Sequence, residues 1–335
     1  MAALDVARAA AALYVVLHHV ANARGWQNIP HLGTLFKFGQ EAVIVFFLLS
    51  GVVIFANERT RALHPAGYAL RRLRRIYPPL LCALLVSTLV AADNATLAQS
   101  FHWPELAGTL LSLQDLPGLK PGVIVAPYLA NDPLWSLSYE VAFYVAFPFV
   151  LRAWRRAPRL TTHAVGATAC AAYALYAAAP NHLCLITAYF LIWWSGAMAA
   201  HAHLSGDRHV LRMGPAFPWL IALTLIAAAC VPLVGRGSFY DYPILPVRHF
   251  AIAVIALATL FGPWGRALIR VAAPLAKPAA FAASISYGVY ILHYPLLVQS
   301  QRAASVPGLA VMVVVLVGLA TLTDRELNRW LPKVR

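Results

Sequence analysis

Charge is scarce in this chain. Asp, Glu, Lys and Arg make up 11% of its 335 residues and hydrophobic residues 61%, where a soluble domain carries about 25% and about 45–50%. So few charges cannot cover a soluble surface, and the same balance excludes disorder, a collagen-like chain and a nucleic-acid-binding domain. Cysteine is scarce too: Cys82, Cys170, Cys184 and Cys230 form no C-x-x-C pair and lie in or beside apolar stretches, as small core residues do. The 12 histidines show no H-E-x-x-H spacing, so no metal is expected. No repeat and no Ser/Gly-rich linker divides the chain, which reads as one domain over 1–335. With a mean hydropathy of +0.69, the class is all-α and polytopic in a membrane.

An apolar stretch needs ~17–25 residues to cross ~30 Å of hydrocarbon. About ten such stretches are present: 4–21, 40–57, 76–92, 134–151, 163–179, 184–201, 216–234, 246–262, 281–298 and 307–323. Each must be helical, because lipid satisfies no backbone N–H or C=O. Ala21-Asn22-Ala23 imitates a signal-peptidase site, but no basic residue precedes the first stretch and Arg8 and His19 interrupt it, so it is expected to be retained. The 26 Lys and Arg residues set the orientation. Arg24, Lys37, Lys120, Arg236, Arg248 and Arg302 fall on one side. All the others, including Arg208, Arg212, Arg329, Lys333 and Arg335, fall opposite, which predicts that both termini are cytoplasmic. The longest outer loop, about 93–133, carries Trp103, Glu105, Asp115, Tyr128 and Asp132; it reads equally as a cap over a binding site or as a solvated connector.

Polar residues at membrane depth default to functional hypotheses. Arg8 and His19 are eleven residues apart, which at ~100° per residue is ~20° beyond three turns, so they share a face. Ser50-Gly51 lies mid-helix, where close helix packing explains it as well as a ligand would. Glu41 reads as an isolated surface acid. Arg71-Arg72-Leu73-Arg74-Arg75 reads either as an anchor on anionic lipid or as a phosphate clamp. Glu140, about two turns into its helix, matches the depth of His19 and would orient that imidazole, unless another buried donor takes it. His293 also falls in the outer half of its stretch.

These residues resemble the acyltransferase-3 family of integral membrane acyltransferases. Arg8 and His19 match its Arg-x10-His signature, and Phe46, Phe47, Ser50 and Gly51 its F-F-x-x-S-G stretch. Arg72, Arg75, Ile76 and Pro78 match R-x-x-R-I-x-P. Trp135, Ser136, Leu137, Glu140, Phe143 and Tyr144 match W-S-L-x-x-E-x-x-F-Y. Ser286, Tyr287, Tyr290, His293 and Pro295 match a late S-Y-x-x-Y-x-x-H-x-P. All five occur in family order. The chain departs at Ile44, where many members carry a polar residue, and at Asp5-Val6-Ala7-Arg8-Ala9, where D-G-L-R-G is common.

The resemblance implies acyl transfer, usually of acetyl, from cytoplasmic acetyl-CoA to a hydroxyl of a sugar in an extracytoplasmic or lipid-linked glycan. It implies a protein of the bacterial inner membrane, in contact with membrane lipids and with glycan biosynthesis or export machinery. Arg72 and Arg75 would hold CoA phosphates, Arg8 would guide the donor, and His19 would act as general base with Glu140 setting its tautomer. Tyr144, Tyr287 or Ser50 would stabilise the oxyanion, with Trp135, Tyr290 and His293 in support. Acylation of a secreted small molecule such as a macrolide, and transport of a glycan precursor, stay open as alternatives.

Overall fold

The computed structural model describes residues 2–61, 64–206, 213–235 and 237–327. Arg208, Arg212, Arg236, Arg329, Lys333 and Arg335, counted above for orientation, lie outside the described residues. The described chain is helical, with one isolated β-bridge between Gln114 and Val125.

The helices are α1 (Ala2–Ala23), α2 (Gly39–Glu58), α3 (Pro65–Asp93), α4 (Leu97–Ser100), α5 (Trp103–Leu110), α6 (Trp135–Arg156) and α7 (Pro158–Ala178). They continue with α8 (His182–Leu204), α9 (Ala216–Val234), α10 (Ile244–Phe261), α11 (Pro263–Ala272), α12 (Ala276–Ser284), α13 (Ser286–His293) and α14 (Val306–Thr321). Eight helical stretches are long and apolar enough to cross a membrane: 3–23, 39–58, 65–93, 132–156, 182–204, 216–234, 244–261 and 306–326. A further pair of helices, 270–284 and 286–299, meets at 58° and makes a ninth span if the two count as one. The remaining expected stretch, 163–179, falls on α7, which is 21 residues long. Arg159, Thr161, Thr162 and His163 near its start lower its apolarity, so eight to nine spans stand where about ten were expected.

Lipid offers no hydrophobic drive for helix association, so close packing must supply it. The crossing of α2 and α8 shows this. A Cβ on Gly51 would lie 2.0 Å from the Trp193 carbonyl oxygen, and one on Gly196 would lie 2.1 Å from the Leu48 carbonyl oxygen. Both backbones therefore touch, and Gly51 settles as a packing glycine while Ser50 turns to another face. Phe47, Phe143, Phe190 and Trp193 fill the space around the crossing, with Phe190 stacked on Trp193 at 5.8 Å. By contrast, large apolar side chains of α9 and α14 such as Leu225, Leu233, Val311 and Val314 are exposed, as lipid-facing residues should be.

The break between α12 and α13 frees backbone donors, and one side chain takes them up. The Gly288 N–H donates to Asp324 Oδ2 at 2.8 Å, from the π-helical turn Leu322–Glu326 that follows α14. The end of α2 is closed in a similar way. Buried Glu58 receives Arg71 at 2.8 and 3.1 Å, and Arg155 Nη2 donates to the carbonyls of Glu58, Arg59 and Arg61 at 3.0, 2.9 and 2.7 Å.

At the opposite end the 94–134 loop is a packed cap and not a solvated connector. Its Asp115 and Lys120 are both buried and pair at 2.7 Å. Tyr139 of α6 donates to Asp115 Oδ2 at 2.6 Å, and Lys120 Nζ lies 3.6 Å from the centre of the Trp135 ring. Burial pulls the Lys120 ammonium below its ordinary range, and Asp115 opposes that shift.

Candidate active site

Arg8 and His19 do share a face of α1, and each opens onto its own cavity. Arg8 lines one of about 640 Å³ and His19 one of about 300 Å³. Val43 of α2 and Tyr290 of α13 line both, so a thin partition separates the two spaces. The Tyr290 hydroxyl donates to the Pro133 carbonyl at 2.8 Å and lies 2.9 Å from Ser136 Oγ, which fixes the partition to the start of α6.

The first cavity is cationic. Arg8, Arg71, Arg72, Arg74 and Arg75 line it, with Glu140 as the single carboxylate in its wall. Arg71 is committed to Glu58. Arg72 is only 3.9 Å from Glu58, its buried Nε has no hydrogen-bond partner, and its guanidinium lies over the rings of Tyr68 and Tyr144 at 5.5 and 5.6 Å. Arg75 pairs with Asp324 at 3.2 Å and lies 5.5 Å from the centre of the Tyr287 ring. The Tyr287 hydroxyl is buried without a partner. Arg8 faces Arg75, Tyr144 and Glu140. Guanidiniums held this close, with spare donors, favour an anion with several oxygens.

Glu140 belongs to this cavity and not to His19. It accepts from Ser50 Oγ at 3.3 Å and from the Tyr144 hydroxyl, and Trp193 Nε1 donates to Ser50 at 3.1 Å. The expected Glu140–His19 contact is therefore replaced. The sequence reading matches their depths, but it is Trp135, five residues earlier on α6, that lines the His19 cavity, while Glu140 lies deeper, beside Ser50 of α2. The same bonds occupy Ser50 and Tyr144, so Tyr287 is the one expected oxyanion donor with a hydroxyl left unpartnered.

His19 meets His293 instead. His293 Nδ1 faces two carbonyls, Tyr290 at 2.7 Å and Val289 at 3.2 Å, so it carries the proton and Nε2 presents a lone pair. His19 Nδ1 lies 3.0 Å from that nitrogen and 3.0 Å from the Val15 carbonyl. Two acceptors around His19 Nδ1 require it to be the donor, which leaves the lone pair on His19 Nε2. The tautomer follows from the network, with backbone carbonyls in the orienting role expected of a carboxylate. Tyr294 stands edge-on to His19 at 5.2 Å and donates to Asp132 at 3.1 Å. Trp135 lines the same cavity and stacks on His249 with 11° between planes.

Several contributors were not read from the sequence. Asp324 ends an apolar stretch in the last span, and beside Arg325 and Glu326 it looked like part of a charged helix end. Lys120 and Asp115 looked like loop charges. Glu41, expected at the surface, is buried and ion-paired with Arg248. Among the described residues no group of three or more His, Cys, Asp or Glu side chains could hold a metal.

Residues 1–323 match the model of the family described as "Acyltransferase domain", acyltransferase-3. The chain is similar to the acyltransferase MdmB of Streptomyces mycarofaciens, 35% identical over 156 residues, covering 44% of this chain and 38% of MdmB. It is similar to nodulation protein 10 of Rhizobium leguminosarum bv. viciae, 26% identical over 313 residues, covering 86% and 81%. It is also similar to the exopolysaccharide production protein ExoZ of Rhizobium meliloti (strain 1021), 31% identical over 131 residues, covering 37% and 38%. The matches to MdmB and ExoZ thus span well under half the length of those relatives. No solved structure matches.

Proposed function

The chain belongs to the acyltransferase-3 family of membrane acyltransferases, and on that premise we propose that it moves an acetyl group from acetyl-CoA to a sugar hydroxyl of an extracytoplasmic or lipid-linked glycan. The observation that carries this reading is the pair of cavities divided by Tyr290 and Val43, one rich in guanidinium and one holding the bare Nε2 of His19. On this reading α7 and the bent pair both cross, which makes ten spans, and the arginine end faces the cytoplasm of a bacterial inner membrane with both termini on that side. The glycan acceptor is supported by the exopolysaccharide production named in one relative.

The donor set fits a CoA ester. Its phosphates need several cations at the mouth of a deep cavity, and Arg72 and Arg75 supply them with Arg8 further in. The unpartnered Arg72 Nε and Tyr287 hydroxyl are donors waiting for acceptors. The thioester reaches past Tyr290 to His19. His19 Nε2 takes the proton from the acceptor hydroxyl as its oxygen attacks the thioester carbonyl. The carbon–oxygen bond forms, the carbon–sulfur bond breaks, and the proton passes to the CoA sulfur. Val15 O and His293 Nε2, both on His19 Nδ1–H, stabilise the transient imidazolium. Glu140 holds Ser50 and Tyr144 as part of the donor wall.

The test is ester-linked acetyl on surface and secreted glycans, in a deletion strain complemented with wild type or with His19→Ala. Acetyl should vanish on deletion and return with wild type alone. Unchanged acetyl on deletion would remove the glycan acceptor. Restoration by His19→Ala, in membranes containing folded protein, would remove the base.

A further inference from the structure

The His19 cavity borders two others, and Leu119 lines all three. It also shares Leu116 and Asp132 with a cavity of about 870 Å³. It shares His18, Asn22 and Gln40 with one of about 450 Å³. The His19 space lies at the lower end of the ~300–1,000 Å³ typical of small-ligand sites, and the larger arm lies near the upper end. A single acceptor sugar beside His19 would use neither arm.

The two arms differ in chemistry. The larger is lined by Asn94, Thr96, Gln99, Glu105, Asp132 and Gln299 among others, with no Lys or Arg in its wall. Side-chain amides, hydroxyls and carboxylates accept and donate to neighbouring hydroxyls, and this wall repels an anionic chain. Its floor is held rigid at a cost. Leu129 and Ala130 both adopt left-handed backbone, at φ 50° and 51°, a conformation costing of order 1–3 kcal/mol per non-glycine residue. Gln299 Nε2 donates to both their carbonyls, at 2.8 and 3.1 Å. Asn131 donates to the Ile291 carbonyl at 3.1 Å. Trp103 stands beside the wall residues His102 and Glu105, 71% exposed, with its ring edge-on to Phe101 at 4.8 Å. Trp103 does not line the cavity itself; its exposed indole, next in sequence to His102, offers a flat apolar face to the C–H side of a sugar ring that extends beyond the wall. The smaller arm carries Lys37 and the Glu41-paired Arg248.

Resting on the acyl-transfer reading above, we infer that the acceptor is an oligosaccharide chain and not a terminal monosaccharide. The chain lies across all three cavities, presents an internal sugar to His19, and places uncharged sugars between Glu105 and Asp132. Asp132, held by Tyr294, anchors the sugar at the junction of the His19 space and the larger arm.

The probes are methyl β-glucoside and three neutral tetrasaccharides (cellotetraose, maltotetraose and chitotetraose), with binding to the full-length protein in detergent followed by saturation-transfer NMR. At least one tetrasaccharide should bind about tenfold or more tighter than the monosaccharide, a gain of ~1.4 kcal/mol. Trp103→Ala and Glu105→Lys should each cut that ratio to about threefold or less, with the thermal transition of each variant confirming that it is folded. No gain with length on any of the three, or a gain that both variants keep, overturns the trough. Transfer of labelled acetyl to the same probes separates this inference from the function it rests on. Length-dependent binding without transfer keeps the trough and removes the acetyl-transfer reading. Transfer to methyl β-glucoside as fast as to every tetrasaccharide keeps the function and removes the trough.

Discussion

At one end of the bundle five guanidiniums and one carboxylate share a wall; at the other, the cavity of about 870 Å³ has no Lys or Arg in its wall. The arginine end is built from helix termini, α1, α3 and the turn after α14, with its acids Glu58 and Asp324 buried behind the cations. The His19 end adds to α1, α2, α6 and α13 a loop that is docked by a buried ion pair and bent by left-handed residues, Leu129 and Ala130 among them. The first recognises by charge, which acts over several ångströms and tolerates loose placement. The second recognises by shape and hydrogen bonding, which act only at contact, and so it needs a rigid frame.

Substitutions can break that contrast one end at a time. His19→Ala should lower the acyl-transfer rate by ~10²–10⁴-fold, the usual worth of a general base. His293→Gln, which can still offer an oxygen to His19 Nδ1–H, should retain more activity than His293→Ala when initial rates are compared. Asp115→Asn strands the Lys120 ammonium in a buried site and should cost ~3–5 kcal/mol of stability, read as a lowered thermal transition in detergent. Arg72→Ala with Arg75→Ala should raise the donor KM about 10–100-fold, from charge-assisted bonds worth ~1.5–3 kcal/mol, and should alter acceptor selectivity less. An equal rise in both constants would mean that the two ends are not separate sites. Arg302→Ala removes a bidentate but exposed pair with Asp93, which solvent screens, and should leave the thermal transition nearly unchanged.

The arginine end was largely legible in the sequence. Helical periodicity alone put Arg8 and His19 on one face, and a cluster such as Arg71–Arg75 is visible without knowing its neighbours. Glu140 shows where reading stops. Depth was matched from helix ends that apolarity fixes only to within several residues, and the structure puts Trp135 at the His19 cavity and Glu140, five residues on, beside Ser50. Glu41 failed for a related reason: its partner Arg248 is more than two hundred residues away, so nothing nearby marked it as buried. The count of spans was blurred by α7, whose polar first turn dilutes an otherwise spanning length, and by the bend at Ile285, which apolarity conceals. The cap over His19 was the least readable part. Its order comes from single contacts such as Lys120 on Trp135, and composition alone makes such a loop look solvated.

Asp324 carries a consequence for biogenesis. A polytopic chain emerges and inserts from its N-terminus, so α1 and α3 are in place long before the last span is made. Until then Arg75 has no acid behind it and the first turn of α13 has no carboxylate on its Gly288 N–H. One side chain near the far end of the chain therefore completes two earlier elements at once, the donor clamp and the half-helix bearing Tyr287, Tyr290 and His293. Nascent chains halted before it would be inserted yet unfinished, and quality-control proteases would meet a loose α13 rather than a closed bundle.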